Sequence, residues 1–323
     1  SMFYHWGIIQ KVVGAFAWVL RKFMNISGSE GLVAAGNIFM GMTESPVLIK
    51  NYLPTMNRSE IFLVMVSGMG TIAGSVMGTY IGMLGGTDPA AKVLFATHLL
   101  SASVMAVPGS IVLAKMLCPQ TEEATDHVAI SGKEKENSNI LDAISSGTVN
   151  GVKLMTNIAA MLLVFISLVA LANYITEGVI GRYTGLNDWI VKITDGKAQG
   201  LTFQFILGVI TSPFMWLIGV PSQDIMLVGS LLGQKTILNE FVAYFQLQQW
   251  KDAGLFMYEK SILMSTYILC GFANISSIGI LLGGLGVLAP EKRGLISRIG
   301  VPAMIGGALV SVLSATIIGM ILG

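Results

Sequence analysis

Charged residues are scarce in this chain: they make up 11% of its 323 residues, whereas soluble globular domains carry about 25%. Hydrophobic residues make up 53%, and the mean hydropathy is +0.72. The formal net charge of +1 provides no basic surface for nucleic acid. These absences exclude an ordinary cytosolic protein and a nucleic-acid-binding protein. Because the apolar runs are long enough for helices, we predict an all-α integral membrane protein and not a β-barrel.

Cysteine is also rare, and no catalytic motif is evident. Cys118 and Cys270 lie far apart in or beside apolar runs, so we predict neither a disulfide framework nor a Cys/His metal site. We interpret both as small apolar packing residues. The chain lacks a Walker A motif, a His-Glu-x-x-His motif and a Gly-x-Ser-x-Gly motif. These absences argue against an enzyme.

The first apolar segments are too short or too irregular for simple membrane spans. Residues 1–28 predict an amphipathic helix at a membrane interface. Residues 29–53 contain two short apolar pieces around 41–44, and neither reaches the ~20 residues that a span needs. We therefore predict a re-entrant hairpin there. Residues 59–84 are long enough to span, but their glycine-rich centre at 68–75 predicts a helix that is unwound in the middle.

Residues 85–200 predict a scaffold of two spans joined by polar loops. The first span, 91–116, is expected to be interrupted at Pro108. The charged stretch 117–147 predicts a solvated loop, and 152–175 predicts an uninterrupted span.

The order of the first segments then recurs within residues 201–288. Four further segments are predicted: an interfacial helix (201–218), a re-entrant hairpin (221–250), a broken span (258–288) and a final span (289–323). The second hairpin is expected to turn at 233–236 and the second broken span to unwind at 271–277. Paired interrupted segments in two halves indicate the binding site of a secondary transporter with inverted repeats.

The basic residues predict the orientation in the membrane. An inverted repeat places twelve of the 19 basic residues on one side and six on the other, with Lys235 at the tip of the second hairpin. Because loops rich in lysine and arginine stay in the cytoplasm, we expect the C-terminus outside it.

Two acidic residues are expected at membrane depth. A carboxylate there costs about 2.5–3.5 kcal/mol on insertion scales, so Glu44 and Glu240 are candidate binding residues. The alternative is that each carboxylate caps the free N–H groups of a hairpin helix. We expect Asp224 to be an N-terminal cap and His98 to be a packing residue rather than a proton relay.

The unwound segments should expose unpaired backbone groups in a small polar chamber. Backbone carbonyl groups together with the hydroxyl of Thr71 are hard ligands that suit Na⁺. Asn274 and Ser277, together with the glutamates, suit a neutral polyhydroxylated solute, although each hydrogen bond contributes only about 0.5–1.5 kcal/mol. Without the carboxylates, these two residues would equally suit helix packing.

Four motifs, in the same order and at similar spacing, resemble those of the concentrative nucleoside transporter family. They are residues 41–46 (Gly-Met-Thr-Glu-Ser-Pro), 70–76 (Gly-Thr-Ile-Ala-Gly-Ser-Val), 239–244 (Asn-Glu-Phe-Val-Ala-Tyr) and 271–277 (Gly-Phe-Ala-Asn-Ile-Ser-Ser). The resemblance covers essentially the whole chain. It implies cation-driven uptake of nucleosides such as uridine by a homotrimer in a plasma membrane, with a bacterial inner membrane expected. It also implies a transport domain that slides against a fixed scaffold in an elevator-type mechanism.

The resemblance also assigns site residues by position. Nucleobase contacts are expected from Met42, Thr43, Glu44, Val76 and Phe272, and ribose contacts from Glu240, Asn274 and Ser277. Sodium ligands are expected from the side chains of Asn37 and Thr71 and from the carbonyl groups of Met40 and Ile72.

This sequence departs from the family pattern at two of these positions. Many members have glutamine at the position of Met42, so we expect base selectivity to be broadened or shifted here. Thr71 replaces a common serine and keeps its hydroxyl group. Family members typically have further spans before the position of residue 1. Two alternatives stay open: coupling to H⁺ in place of Na⁺, and a membrane enzyme that acts on nucleosides or lipids.

Overall fold

The computed structural model describes residues 8–122, 139–194, 196 and 198–323. Every regular element within these ranges is a helix. The first five α-helices are α1 (Ile8–Met24), α2 (Gly28–Gly36), α3 (Arg58–Gly70), α4 (Gly74–Gly85) and α5 (Pro89–Leu117). The amphipathic helix predicted in residues 1–28 thus corresponds to α1, and residues 1–7 lie outside the described ranges.

The first hairpin has one α-helical leg and one 3₁₀-helical leg. Helix α2 begins after Ser27, whose side chain accepts a hydrogen bond from the N–H of Glu30 in a capping box. The chain returns through short 3₁₀ helices at Ser45–Ile49 and Leu53–Thr55. The hydroxyl of Ser45 donates to the carbonyl of Val33 at 2.8 Å, which ties the two legs together.

The first broken span is interrupted at the glycine-rich centre that the sequence indicates. Helix α3 ends at Gly70 and α4 begins at Gly74, so residues 71–73 are not helical. Glycine at both edges lowers helix propensity by about 1 kcal/mol per residue relative to alanine. The first unwound segment, residues 71–73, therefore has a local cause.

Helix α5 corrects the expectation that the span 91–116 is interrupted. The helix continues through Pro108 without interruption. It also packs against α3 and α4. Small side chains recur every fourth position at Ala102, Ala106, Ser110 and Ala114, and all four are buried. Such a stripe lets helices approach closely, which explains why α5 joins the first repeat.

The middle of the chain is more helical than predicted. Helix α6 (Ile140–Asn173) begins well before the expected start at residue 152 and continues as a π-helix, Tyr174–Gly181. A helical turn, Arg182–Thr184, and helix α7 (Leu186–Ile193) follow. Much of the predicted charged loop, residues 123–138, lies outside the described ranges.

The second repeat forms the remaining helices. They are α8 (Phe203–Leu217), α9 (Ile225–Ile237), α10 (Glu240–Asp252), α11 (Glu259–Leu269), α12 (Ile275–Leu288) and, after a 3₁₀ turn at Pro290–Lys292, α13 (Arg293–Ile321). The second unwound segment, residues 270–274, separates α11 from α12.

The turn of the second hairpin was predicted in the wrong place. Residues 233–236 are part of α9, and the chain turns at 238–239 instead. The side chain of Asn239 accepts a hydrogen bond from the N–H of Val242 at 2.9 Å and so starts α10. Lys235 is consequently a buried residue of α9 and does not lie at the hairpin tip.

Asp224 also differs from its predicted role. It precedes α9, but its side chain makes no capping hydrogen bond to that helix. The carboxylate instead accepts from the N–H groups of Met257 (3.0 Å) and Tyr258 (3.1 Å), just before α11. Asp224 therefore joins the start of the second hairpin to the segment that follows the hairpin and precedes α11.

The two repeats share one more feature. Each broken span is followed by a 29-residue helix with an internal proline, α5 in the first repeat and α13 in the second. Helix α13 packs against α3 and α5 of the first repeat as well as α11 and α12 of its own. The two unwound segments are thereby held together at the centre of the protein.

Candidate functional site

A cavity of about 220 Å³ lies between the two hairpin turns and the first residues of α4 and α12. It brings together all eight residues that the resemblance assigns to substrate. They are Met42, Thr43, Glu44, Val76, Glu240, Phe272, Asn274 and Ser277. Six further residues line it: Gly41, Tyr80, Asn239, Phe241, Ser276 and Ile280.

Glu240 is held between the two repeats. It is the first residue of α10, where the positive end of the helix dipole favours a carboxylate, and it is 7% exposed. One carboxylate oxygen accepts from the hydroxyl of Tyr80 and the other from the amide Nδ2 of Asn274, each at 3.1 Å. Because both oxygens are anchored and each can accept another hydrogen bond, Glu240 presents fixed acceptors to the cavity.

Asn274 positions Glu240 and also starts α12. Its side-chain oxygen accepts from the N–H and hydroxyl of Ser277, at 2.9 and 3.0 Å, and from the hydroxyl of Ser276 at 2.6 Å. This cap leaves the amide Nδ2 directed at Glu240. The second unwound segment therefore ends in a group of polar side chains that are hydrogen-bonded to one another and line the cavity.

Aromatic side chains form the wall behind the carboxylate. Tyr80 stacks on Tyr244 with ring centroids 4.1 Å apart, and it lies 5.8 Å from the ring of Phe241. The hydroxyl of Tyr244 donates to the carbonyl of Thr266 at 2.8 Å. Phe272 is half-buried on another side of the cavity. Rings of this kind can pack against a planar base.

The two glutamates are not equivalent, although the sequence treats them as a pair. Glu44 is exposed, and its side chain makes no capping hydrogen bond to the 3₁₀ helix that follows it. Glu44 lines the same cavity as Glu240 but is more exposed. Its carboxylate lies over Gly41, where a Cβ atom would come within 2.1 Å of Oε2. A residue with no side chain is required there for Glu44 to adopt this position.

The residues assigned to Na⁺ lie beside the first unwound segment. Asn37 is fully buried and donates from Nδ2 to the hydroxyl of Ser67 at 2.9 Å. Its Oδ1 is buried and has no hydrogen-bond partner in the described part of the chain. The hydroxyl of Thr71 donates to the carbonyl of Ser67 at 2.9 Å, which leaves its lone pairs available. An unpartnered buried amide oxygen suits a hard cation as ligand.

Main-chain contacts link this region to the cavity. The N–H of Phe272 donates to the carbonyl of Thr71 at 3.2 Å, so the two unwound segments are directly bonded. The N–H of Gly74 donates to the carbonyl of Phe39 in the turn of the first hairpin at 3.3 Å. Main-chain hydrogen bonds therefore join the two unwound segments to each other and to the turn of the first hairpin.

Sequence reasoning missed Tyr80, the residue that anchors Glu240 from the other repeat. Tyr80 lies four residues after Val76 on α4, so both share one helix face. That spacing could have identified it. His98 behaves as expected, since its Nδ1 lies 3.1 Å from the hydroxyl of Tyr267.

Two family models match the chain. The model described as "Na+ dependent nucleoside transporter C-terminus" matches residues 98–319, and the model described as "Nucleoside recognition" matches residues 1–87. Together they cover both repeats.

Curated relatives extend over the whole chain. An uncharacterized transporter of Haemophilus influenzae is 39% identical over 100% of this chain and 73% of its own length. "Sodium/nucleoside cotransporter 1" of Rattus norvegicus is 38% identical over 99% of this chain and 48% of its own length. The chain thus spans about half the length of the rat relative.

Solved structures agree with this assignment. The structure of CNTnw in an inward-facing substrate-bound state has a TM-score of 0.84 at 34% identity, covering 100% of this chain and 72% of that one. An outward-facing variant of CNTnw has a TM-score of 0.86 at 34% identity, covering 99% and 72%. These matches confirm the predicted fold class, an all-α multi-pass membrane protein.

Proposed function

Because the chain belongs to the family of Na⁺-dependent nucleoside transporters, we propose that it imports nucleosides across a membrane together with Na⁺. The family consists of transporters, so the alternative of a membrane enzyme is not supported. Uridine or a related nucleoside is the proposed substrate, although Met42 at the base-facing position favours a broadened or shifted base selectivity.

The anchored carboxylate of Glu240 carries this proposal. A ribose presents adjacent hydroxyl donors, and a carboxylate with both oxygens fixed can accept from them in charge-assisted hydrogen bonds. Asn274 and Ser277 complete the ribose side. Phe272, Val76 and the turn of the first hairpin offer the apolar and polar surface that a nucleobase needs.

Coupling to Na⁺ follows from the location of the proposed ion ligands. Asn37, Thr71 and the carbonyl groups of Met40 and Ile72 would order the first hairpin and first unwound segment when Na⁺ binds. Those segments also border the nucleoside cavity. Binding of either ligand would then lower the free-energy cost of ordering these segments for the other ligand. Such coupling is reciprocal, and its free energy is typically about 1–3 kcal/mol.

We also propose an elevator-type movement. Helix α13 joins α3, α5, α11 and α12 into one body, whereas α6 packs mainly against α8, α10 and its own π-helical continuation. Helix α6 carries exposed apolar side chains, among them Leu163, Val164 and Leu171. A fixed scaffold around α6 is consistent with these features. From the family resemblance we further propose a homotrimer in a bacterial cell, and from the distribution of basic residues we propose C-termini outside the cytoplasm.

Uptake into proteoliposomes tests the proposal. Vesicles containing the purified protein and Na⁺-free buffer receive labelled uridine with or without an inward Na⁺ gradient. We expect accumulation above equilibrium only with the gradient. Equal uptake in both conditions would reject Na⁺ coupling, and uptake that follows an imposed pH gradient would favour H⁺ coupling. The label should be recovered as unchanged nucleoside.

A further inference from the structure

A lysine is buried next to the second unwound segment. Lys235, in the last turn of α9, is 0% exposed. Its Nζ donates to the carbonyl oxygen of Ile268 at 2.7 Å and to the hydroxyl of Ser311 on α13 at 2.8 Å. A fully buried ammonium group is costly to place unless polar groups surround it, so its presence requires a reason.

In the part of the chain that the structure describes, no carboxylate neutralises this ammonium group directly. Within the described ranges, Lys235 forms no ion pair, and Glu240 on the next helix bonds to Tyr80 and Asn274 instead. Ile268 lies in the last turn of α11, where the negative end of the helix dipole favours a positive charge. Lys235 is thus stabilised by a carbonyl oxygen, a hydroxyl oxygen and a helix terminus, which are the kinds of partner that also bind Na⁺.

Lys235 in the second repeat and Asn37 in the first both lie near the end of the first leg of their hairpin. Asn37 directly follows α2, the first leg of its hairpin, and contacts Ser67 in the last turn of the helix before the break. Lys235 lies in the last turn of α9, the first leg of the second hairpin, and contacts Ile268, also in the last turn of the helix before the break. The first repeat has an unpartnered acceptor at this place and the second repeat has a positive charge.

We propose that the ammonium group of Lys235 is a built-in cation that occupies the second repeat's counterpart of the Na⁺ site, so that transport takes one Na⁺ per nucleoside. The inference rests on the proposed Na⁺ coupling. This ammonium group keeps the second unwound segment ordered without a bound ion. The first segment is ordered only when an ion binds, which confines ion coupling to one repeat.

Two substitutions at Lys235 separate a cationic role from a packing role. Lys235→Ala leaves space and two free oxygen ligands, so a second Na⁺ can enter. Lys235→Met fills the space without charge. We expect uridine binding to Lys235→Ala to require Na⁺ with a Hill coefficient near two, against one for the parent protein. We expect Lys235→Met to lose uridine binding at every Na⁺ concentration. Lys251→Ala, which removes a lysine at the far end of the same hairpin, is the control.

The ratio of labelled Na⁺ to labelled uridine taken up by the unmodified protein gives a test that needs no variant. A ratio of one is expected. A ratio of two overturns the built-in cation and leaves the proposed function standing, whereas Na⁺-independent uridine uptake overturns the proposed function. If Lys235→Ala and Lys235→Met both keep the parental Hill coefficient and differ only in melting temperature, Lys235 is a packing residue and the proposal is wrong.

Discussion

The substitution Glu240→Gln should weaken nucleoside binding without disturbing the fold. Glutamine has the same shape, and its oxygen can still accept from Nδ2 of Asn274. Its NH₂ group can donate to the hydroxyl of Tyr80, which can rotate to accept. The bonds between the repeats are therefore retained, and the charged acceptor facing the cavity is lost.

The expected loss of uridine affinity can be calculated from the hydrogen bond that the carboxylate would make to ribose. Hydrogen bonds to charged groups contribute about 1.5–3 kcal/mol, more than the ~1 kcal/mol of a neutral pair. The difference is about 0.5–2 kcal/mol, and since every 1.4 kcal/mol changes an equilibrium constant about tenfold, we expect uridine affinity to fall about 2- to 30-fold. The melting temperature of the ligand-free protein should change little.

The assay is a binding titration at saturating Na⁺ with uridine, 2′-deoxyuridine and 3′-deoxyuridine. The penalty of Glu240→Gln should disappear for the analogue that lacks the hydroxyl group held by the carboxylate. Glu259→Gln, the same chemical change at an exposed residue at the start of α11, is the control and should bind like the parent.

One result would refute this reasoning. If Glu240→Gln binds uridine and both deoxy analogues with parental affinities, the carboxylate does not hold ribose. A uniform loss for all three ligands, accompanied by a lower melting temperature, would instead indicate that Glu240 only joins the repeats.

Two further substitutions test the first repeat. Asn37→Ala removes the unpartnered amide oxygen, so the Na⁺ concentration for half-maximal uptake should rise severalfold while uridine affinity at saturating Na⁺ stays near parental; an unchanged Na⁺ requirement contradicts an ion-binding role. Gly41→Ala places a Cβ 2.1 Å from the carboxylate of Glu44 and should displace it, lowering uridine affinity. Gly78→Ala, where a Cβ meets nothing within 4 Å, is the matched control and should leave uridine binding unchanged; equal binding by both alanine variants would show that the position of Glu44 is unimportant.

The features that the sequence predicted correctly depend mainly on composition and on residues close together in the chain. Glycine at 68, 70 and 74 lowers helix propensity at the first break, and this effect depends only on residues close together in the chain. The scarcity of charged residues likewise predicts a membrane protein, because a soluble domain carries a larger share of them. The motif resemblance then assigned eight residues that do line one cavity.

Two predictions were wrong because the local sequence pattern behind each of them was outweighed by another interaction. The turn of the second hairpin was placed at 233–236 because glycine and lysine interrupt an apolar run there. The cap at Asn239 instead sets the start of α10, so Lys235 stays helical and buried. Pro108 was expected to interrupt its span, but the small side chains around it pack α5 against its neighbours, and packing outweighs the loss of one backbone hydrogen bond.

The sequence alone determined that this is a helical membrane protein with two sets of interrupted segments, since hydropathy and helix breaking depend on neighbours along the chain. Only the tertiary structure decided that Glu240 is anchored by Tyr80, that Glu44 is exposed, and that Lys235 reaches Ser311. Tyr80 and Glu240 are 160 residues apart. Such pairings depend on how helices from both repeats pack in three dimensions, and no local pattern encodes that packing.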